Sequence, residues 1–293
     1  MSNWQARHLT VQLASDLHCG DRPLGFVARI LPYVPAHIPW YALVPAVVSN
    51  LGWPDRFASY RRVEDFFQQA LRLTPFFPAM GDGGESRILP LEAVETNLLA
   101  SQYGIGVCYG ERGAREGHLY ETEVLLARGR DGGPTRLHGC CFWRPRREDG
   151  LELDENGHLN GRPLTELMAQ CQWGGQRNKG LGRLRAVEER PFDPRAGFGR
   201  AFRAAEEWPV LIQAAAVPVP FFLRYDPDLE GRVHGRLAPL VGRRFAEDRG
   251  PGLAAEDCAI VWPPGWQWQG AAGPDGGLAL ELSDRRTVRA LPE

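Results

Sequence analysis

Alternating apolar and polar residues along this chain predict short strands, and longer apolar runs predict helices between them. Residues 8–17 alternate in the manner of a half-buried first strand. The apolar run at 40–51 predicts a buried helix, with Pro39 in its first turn, where a missing N–H costs nothing. Apolar side chains at helical spacing over 63–73 predict an amphipathic second helix.

Further along the chain the same patterns predict two more strands and two more helices. The runs at 117–128 and 135–143 predict strands, and the Gly/Pro-rich turn between them predicts a β-hairpin. The stretches 91–99 and 164–171 predict short helices, and Thr165 or a preceding polar residue is expected to cap the second. Short helices mixed with hairpins favour an α+β protein built on antiparallel sheets.

The hydrophobic pattern partly restarts beyond Phe192. We therefore expect an N-terminal unit over residues 1–191 and a smaller C-terminal unit over residues 192–293. A chain of 293 residues is long enough for two units, each with its own core. Glycine and proline together make up about a fifth of the chain, which is typical of strands joined by many turns.

Charge and cysteine content narrow the classes of function. The net charge of -2 argues mildly against a protein that coats nucleic acid, although it leaves room for a local basic patch. None of the six cysteines forms a CxxC pair, so we expect reduced, buried thiols, no metal and no cofactor. The chain shows neither a signal peptide nor an apolar run that could span a bilayer. We therefore expect a cytoplasmic protein without membrane contact.

The clearest chemical signal is a glycine-rich basic loop at residues 174–183. Its glycines allow positive φ angles and expose N–H groups, and its cations would each neutralise a phosphate. Such a loop can form an anion cradle, whereas a solvated hairpin explains the composition equally well. Its order is neither that of a Walker A motif nor that of a dinucleotide-binding motif. The residues singled out are Gly174, Gly175, Gln176, Arg177, Asn178, Lys179, Gly180, Gly182 and Arg183.

Three motifs of the chain resemble one protein family. The loop reads Gly-Gly-Gln-Arg-Asn-Lys-Gly-Leu-Gly-Arg and resembles the glycine-rich loop of the RAMP superfamily of CRISPR-associated proteins, with Asn178 where Ser is common. Residues 15–20, Ser-Asp-Leu-His-Cys-Gly, are similar to the end of that family's first strand. Residues 33–37 are similar to the segment before its first helix, although Ala36 and His37 replace Gly and Ser there.

This resemblance implies an α+β fold of two ferredoxin-like, RRM-related domains with antiparallel sheets. The 110 residues beyond Arg183 leave room for the second domain. The layout resembles the subunit that caps the 5′ end of the guide in type III CRISPR effector complexes, which serve antiviral defence. It implies a non-catalytic protein that binds guide CRISPR RNA, docks against a large polymerase-like subunit and backbone RAMP subunits, and meets target RNA only indirectly.

The resemblance also implies a role for each part of the loop. Arg177, Lys179 and Arg183 would hold phosphates. The four glycines would let the backbone approach the RNA closely. The amides of Gln176 and Asn178 would form hydrogen bonds to sugar or base edges.

His18 supports an alternative hypothesis. In RNA-processing relatives a histidine near the first helix can act as general acid or base, so the chain could be a metal-independent endoribonuclease that processes CRISPR RNA. We favour a His18 that holds the first turn or contacts RNA without chemistry. A third hypothesis is an accessory interaction protein with the same fold and no RNA contact.

The Gly/Pro-rich segment 74–90 supports one more expectation. In guide-binding relatives a protruding thumb inserts between RNA bases and kinks the strand. Phe76, Phe77 and Met80 would supply the apolar wedge of such a thumb. A surface loop that packs on its own domain explains the segment equally well.

Overall fold

The computed structural model describes residues 4–53, 56–80, 87–108, 110, 113–192, 202–203, 210–212, 222–246, 250–263, 266–268, 278–282 and 287–290. Within these ranges the chain forms four α-helices among mostly antiparallel sheets, which confirms the predicted α+β class. The helices are α1 (His37–Leu51), α2 (Arg56–Ala70), α3 (Leu91–Leu98) and α4 (Leu164–Ala169). No helix of the described part is long and apolar enough to cross a membrane.

The strands are short and numerous, as the high glycine and proline content indicates. Up to residue 191 they are β1 (Gln5–Leu13), β2 (Gly20–Leu24), β3 (Val27–Ile30), β4 (Leu71–Leu73), β5 (Phe77–Met80), β6 (Arg87–Ile88), β7 (Leu99–Cys108), β8 (Gly113–Leu125), β9 (Arg136–Trp143), β10 (Arg146–Glu148), β11 (Leu151–Leu153), β12 (His158–Leu159), β13 (Arg162–Pro163) and β14 (Leu184–Pro191). Beyond it they are β15 (Phe202–Arg203), β16 (Val210–Ile212), β17 (Phe222–Arg224), β18 (Val233–His234), β19 (Ala238–Ala246), β20 (Gly250–Trp262), β21 (Gln267–Trp268), β22 (Leu278–Leu282) and β23 (Thr287–Ala290).

A central antiparallel sheet organises the N-terminal unit, with the strand order β14-β1-β9-β5-β6 and with β4 also paired to β9. Leu9, Val11 and Leu13 alternate along β1 and face the core, as the sequence pattern predicts. They belong to the same buried cluster as Trp40 of α1 and Phe67 of α2, whose rings meet edge to face at 5.9 Å. The helices therefore cover one face of this sheet.

A second sheet joins the central one where β1 ends. Its order is β2-β3-β8-β7, and β3 runs parallel to β8. Leu17 and Leu125 exchange two backbone hydrogen bonds of 2.9 and 2.8 Å, which fasten the chain after β1 to the end of β8. The segment that follows the first strand is thus held between two sheets.

The predicted hairpin between residues 117–128 and 135–143 is wrong. Both strands exist, but β8 pairs with β7 and β3, whereas β9 pairs with β1, β4 and β5. Seven of the eight residues of β9 are buried. Such a strand lies inside a sheet, with a neighbouring strand along each edge and helices packed on one face. The turn between the two strands, with its bridge from Arg128 to Pro134, instead links two sheets.

The helix predictions hold with changed boundaries. The helices at 40–51, 91–99 and 164–171 are present as α1, α3 and α4. The helix expected over 63–73 ends at Ala70, because Leu71 and the next two residues pair with β9 as strand β4. Thr165 does not cap α4: Pro163 occupies the N-cap position, and no side chain there caps the helix.

Beyond residue 191, seven strands form a sheet of order β15-β16-β22-β23-β17-β20-β19, and β18 pairs separately with β21. It meets the N-terminal unit at Tyr33, whose ring stacks on Phe77 at 5.3 Å and lies 6.2 Å from the ring of Phe222 on β17. The boundary between residues 191 and 192 and the second ferredoxin-like domain stay predictions.

The predicted burial of thiols is confirmed for Cys19, Cys140, Cys141 and Cys171, which are all free, whereas Cys258 is exposed. The side chain of Cys108 lies outside the described residues. Burial raises the pKa of Cys19 to about 12. This thiol next to His18 therefore stays neutral and is not a nucleophile at physiological pH.

Candidate nucleic-acid interface

The glycine-rich loop connects α4 to β14 and closes on itself at its base. The Trp173 N–H donates to the Gly182 carbonyl at 2.8 Å, and Gln172 forms a bridge with Arg183. The loop has two buried anchors, Trp173 at its start and Leu181 near its end. Between the anchors, residues 177–179 form a single 3₁₀ turn.

Backbone hydrogen bonds attach the loop to the chain that follows β1. The Gly182 N–H donates to the Asp16 carbonyl at 2.7 Å, and the Gly175 N–H donates to the His18 carbonyl at 2.8 Å. The Arg183 N–H donates to Ser15 Oγ at 2.9 Å. Two of the three segments that carry the family resemblance, residues 15–20 and 174–183, therefore form one unit.

Close packing explains two of the four glycines in the loop. Gly174 has φ 78°, and a Cβ there would lie 2.3 Å from the His18 carbonyl oxygen. Gly182 has φ 76°, and its Cβ would lie 1.8 Å from the Trp173 carbonyl oxygen. Gly180 has φ 84° with no atom within 4 Å of an added Cβ, so it alone among these glycines faces open space.

The anion cradle predicted from the glycines is wrong in part. The N–H groups of Gly175 and Gly182 donate to backbone carbonyls, so neither is available to an anion. The N–H groups of Arg177 and Asn178 open the 3₁₀ turn, where the turn itself offers no acceptor. No hydrogen bond within the described part of the chain engages them.

The charged side chains of the loop are accessible. Arg177, Lys179 and Arg183 are exposed, as is Asn178. None of the three cations forms an ion pair with a residue that the structure describes. Arg185 on β14 is also exposed and adds a fourth cation that the sequence motif does not include. The loop thus presents a local cationic surface on a protein of nearly neutral charge.

Strand β8 supports the loop from the side, and sequence analysis missed it. Lys179 Nζ donates to the Tyr120 hydroxyl at 2.9 Å and lies 4.3 Å from the centroid of its ring. Gln176 Nε2 donates to Thr122 Oγ1 at 3.1 Å. Tyr120 and Thr122 alternate along the strand and so share a face, but nothing in their local sequence indicates the distant loop as their partner.

His18 is a structural link between the segment at residues 15–20 and the loop at residues 174–183. It is buried, and its Nδ1 lies 2.8 Å from the Glu123 carbonyl oxygen. The carboxylates near it are engaged elsewhere: Glu123 Oε2 accepts from Arg29 Nε at 2.8 Å, and Asp16 Oδ1 accepts from the Ala127 N–H at 2.8 Å. This arrangement holds the turn after β1, and no hydrogen bond within the described residues joins the imidazole to the side chain of a second acid or base.

The chain has distant neighbours among solved structures. It is similar to chains of Type III-B Cmr-beta structures. For the complex bound to cognate target RNA and AMPPnP, the identity is 9% and the TM-score 0.44, over 90% of this chain and 86% of that chain. For the apo state the identity is 10% and the TM-score 0.34, over 64% of this chain and 96% of that chain. No family model and no curated protein matches the chain.

The wedge predicted from Phe76 and Phe77 is wrong. Phe76 is fully buried, meets the Trp173 ring at 5.0 Å and exchanges two backbone hydrogen bonds of 2.8 Å with Val34. Phe77 is half-buried on β5 and stacks on Tyr33. Both rings make packing contacts inside the protein, so neither protrudes as a free wedge.

The remaining points about the predicted site concern Met80, Trp173 and metal binding. Met80 ends β5, and its side chain lies outside the described residues, as do residues 81–86 of the same segment. Trp173, immediately before the loop, is buried in the core. Within the described ranges, no group of His, Cys, Asp and Glu is placed to hold a metal ion.

Proposed function

We propose that this chain is a guide-RNA-binding subunit of a type III CRISPR ribonucleoprotein, and that it caps the 5′ repeat-derived handle of the guide. The observation that carries the proposal is the loop at residues 174–183. It follows the RAMP motif in sequence, is pinned to the end of β1, and exposes Arg177, Lys179 and Arg183 without ion-pair partners in the described part.

Cations held on a fixed turn are suited to a phosphate backbone. Phosphate contacts supply most of the affinity for nucleic acid and position the protein on it, whereas amides read sugar and base edges. Asn178 is exposed between the two cations of the turn and is placed for such reading. The net charge of -2 is compatible with this role if neighbouring subunits share the phosphate contacts.

The strand order supports the fold that the proposal requires. In chain order the main strands of the central sheet are β1, β5, β9 and β14, with α1 and α2 after the first and α4 after the third. Their spatial order is fourth, first, third, second, and all neighbours are antiparallel. This is the order of a ferredoxin-like domain. We propose a second such domain over residues 192–293.

We further propose that the chain is not a nuclease, that it docks against a large polymerase-like subunit and backbone subunits, and that it meets target RNA only through the complex. The burial of His18 and its hydrogen bond to a backbone carbonyl support a non-catalytic role. Incubation with repeat RNA without added metal should give no specific cleavage. Specific cleavage that disappears in His18→Ala would favour the endoribonuclease.

RNA affinity tests the central claim. We expect Arg177→Ala/Lys179→Ala to weaken binding to handle RNA by about ten- to a hundredfold, because two charge-assisted phosphate contacts are lost. The slope of log affinity against log salt should fall by about 1.4, since a single strand loses about 0.7 per phosphate contact. Fluorescence anisotropy at several salt concentrations measures both quantities.

A matched variant controls for charge. Arg61→Ala/Arg62→Ala removes two exposed cations from α2 and should leave affinity and salt slope close to those of the unmodified chain. If the loop variant keeps full RNA loading in the assembled complex, the proposal fails and an accessory interaction protein becomes the better explanation.

A further inference from the structure

Tyr120 on β8 occupies a constrained position beside the loop. Its cross-strand partner on β7 is Gly104. A Cβ at Gly104 would lie 2.2 Å from Tyr120 Cζ, 2.3 Å from its hydroxyl oxygen and 2.5 Å from Cε2. The phenol ring therefore lies across the backbone of β7, in space that only a glycine leaves open. Aromatic rings that cover a cross-strand glycine are a known stabilising arrangement in sheets.

The other contact of the ring is with the loop. Lys179 Nζ lies 4.3 Å from the ring centroid and donates to the hydroxyl oxygen at 2.9 Å. One of the three donors of the ammonium group is thus used, and two remain for a ligand. The charge is not neutralised, because a phenol and its ring carry no net charge. Lys179 remains exposed while its head group is held in place.

Fixing a lysine before binding matters energetically. A lysine side chain is among the most mobile, and ordering one at an interface opposes association. A head group already held by Tyr120 avoids part of this cost. The loop backbone itself is held independently, through the bonds of Gly175, Gly182 and Arg183 to residues 15–18.

We propose that Tyr120 is a positioning residue for RNA binding: packed over Gly104, it holds the Lys179 ammonium group where the loop meets an RNA phosphate. This inference rests on the proposed function, since Lys179 must contact RNA for its position to matter. It adds β8 and β7 to the RNA site, and it gives Gly104 a role 70 or more residues before the loop.

Double-mutant cycles on handle RNA test this role. Tyr120→Ala should weaken binding about three- to tenfold, the effect of ordering one long side chain. Tyr120→Phe keeps the ring but removes the hydroxyl that accepts the hydrogen bond. Its affinity for handle RNA should lie between that of the unmodified chain and that of Tyr120→Ala. In the Lys179→Ala background, Tyr120→Ala should cost nothing further, because the side chain that it positions is already absent. A general structural role would weaken binding in both backgrounds.

Two more variants complete the experiment. Gly104→Ala displaces the ring and should resemble Tyr120→Ala. Tyr103→Ala removes an exposed tyrosine from the next position, on the opposite face of the same sheet, and should leave affinity unchanged. If Gly104→Ala does not fold, Tyr120→Phe and the cycle still decide the question.

The outcomes separate the two proposals. If Lys179→Ala and Arg177→Ala bind handle RNA as tightly as the unmodified chain, the proposed function itself fails. If Lys179→Ala weakens binding but Tyr120→Ala binds equally well or more tightly, the positioning role is overturned and RNA binding by the loop stands. Additive losses in the double variant overturn the positioning role as well.

Discussion

His138 lies among other basic side chains on the face of the central sheet opposite the apolar core. The register of β1, β9 and β14 places it near His8, Arg136 and Arg190. Burial lowers the pKa of His138 to about 4, and the charges of Arg190, His8 and Arg136 act in the same direction. The imidazole is therefore neutral in the folded protein at pH 7.

This lowered pKa predicts a loss of stability in acid. In the unfolded chain His138 has its ordinary pKa of 6.5, so the unfolded state takes up the proton at a higher pH than the folded state does. The stability of the fold is therefore unaffected by this group above pH 6.5 and decreases as the pH falls from there towards about 4. We expect this group to lower the free energy of unfolding by about 2 kcal/mol between pH 7 and pH 4.5. Urea unfolding at a series of pH values measures the decline.

Replacement of the group checks the assignment. His138→Asn should reduce the dependence of stability on pH, whereas His234→Asn, which removes an exposed histidine, should leave it unchanged. An equal decline in the unmodified chain and in His138→Asn would contradict the prediction.

Some of the site could be predicted at this scale and some could not. The cations and glycines of the loop are adjacent in sequence, so their composition and order alone identified them. Lys179 and Tyr120 are 59 residues apart, and only the folded sheets bring them together. The burial of Phe76 is hidden from the sequence for the same reason: an aromatic residue between prolines and glycines gives no local sign that it will pack against Trp173.

The loop acts as a structural element because its glycines differ in what they tolerate. An alanine at Gly182 would need both a positive φ and a Cβ 1.8 Å from the Trp173 carbonyl oxygen. Gly182→Ala should therefore lower the free energy of unfolding by about 3 kcal/mol or more. Gly180→Ala has the same φ cost but open space, and should cost about 1 kcal/mol. Urea unfolding curves give both values, and equal values for the two variants would refute the argument.

Elements defined by local periodicity were predictable, whereas their pairing was not. The periodicity of α1, α3 and α4 is contained within each segment, and all three helices are present. The choice of partner for β8 and β9 depends on strands up to about 140 residues away, because each is paired with another strand along both of its edges. The turn residues between β8 and β9 are compatible with a hairpin and equally compatible with a connection between two sheets, so they do not decide the pairing.

At the scale of the whole molecule, strands on either side of residue 192 meet, among the described residues, in a hydrophobic cluster around Tyr33. Tyr33 is buried between Phe77 of the central sheet and Phe222 of β17. We expect Tyr33→Ala to weaken protection of β17 by about 2 kcal/mol or more, or about thirtyfold in amide exchange, since a large buried ring is removed.

Hydrogen–deuterium exchange on peptides covering β17 measures this effect. Tyr103→Ala, which removes an exposed ring far along another sheet, provides the control. Unchanged exchange in β17 after Tyr33→Ala would show that other contacts hold the C-terminal strands.

The attachment of the loop to residues 15–18 also orders events during synthesis. The Arg183 N–H and Ser15 Oγ are separated by 168 residues, so this contact forms only after nearly two-thirds of the chain has left the ribosome. The strand that closes the central sheet, β14, follows immediately. A nascent or truncated chain that ends before this point lacks the assembled loop. Under the proposed function, RNA binding by the loop would therefore require that residues 1–191 have been synthesised and folded.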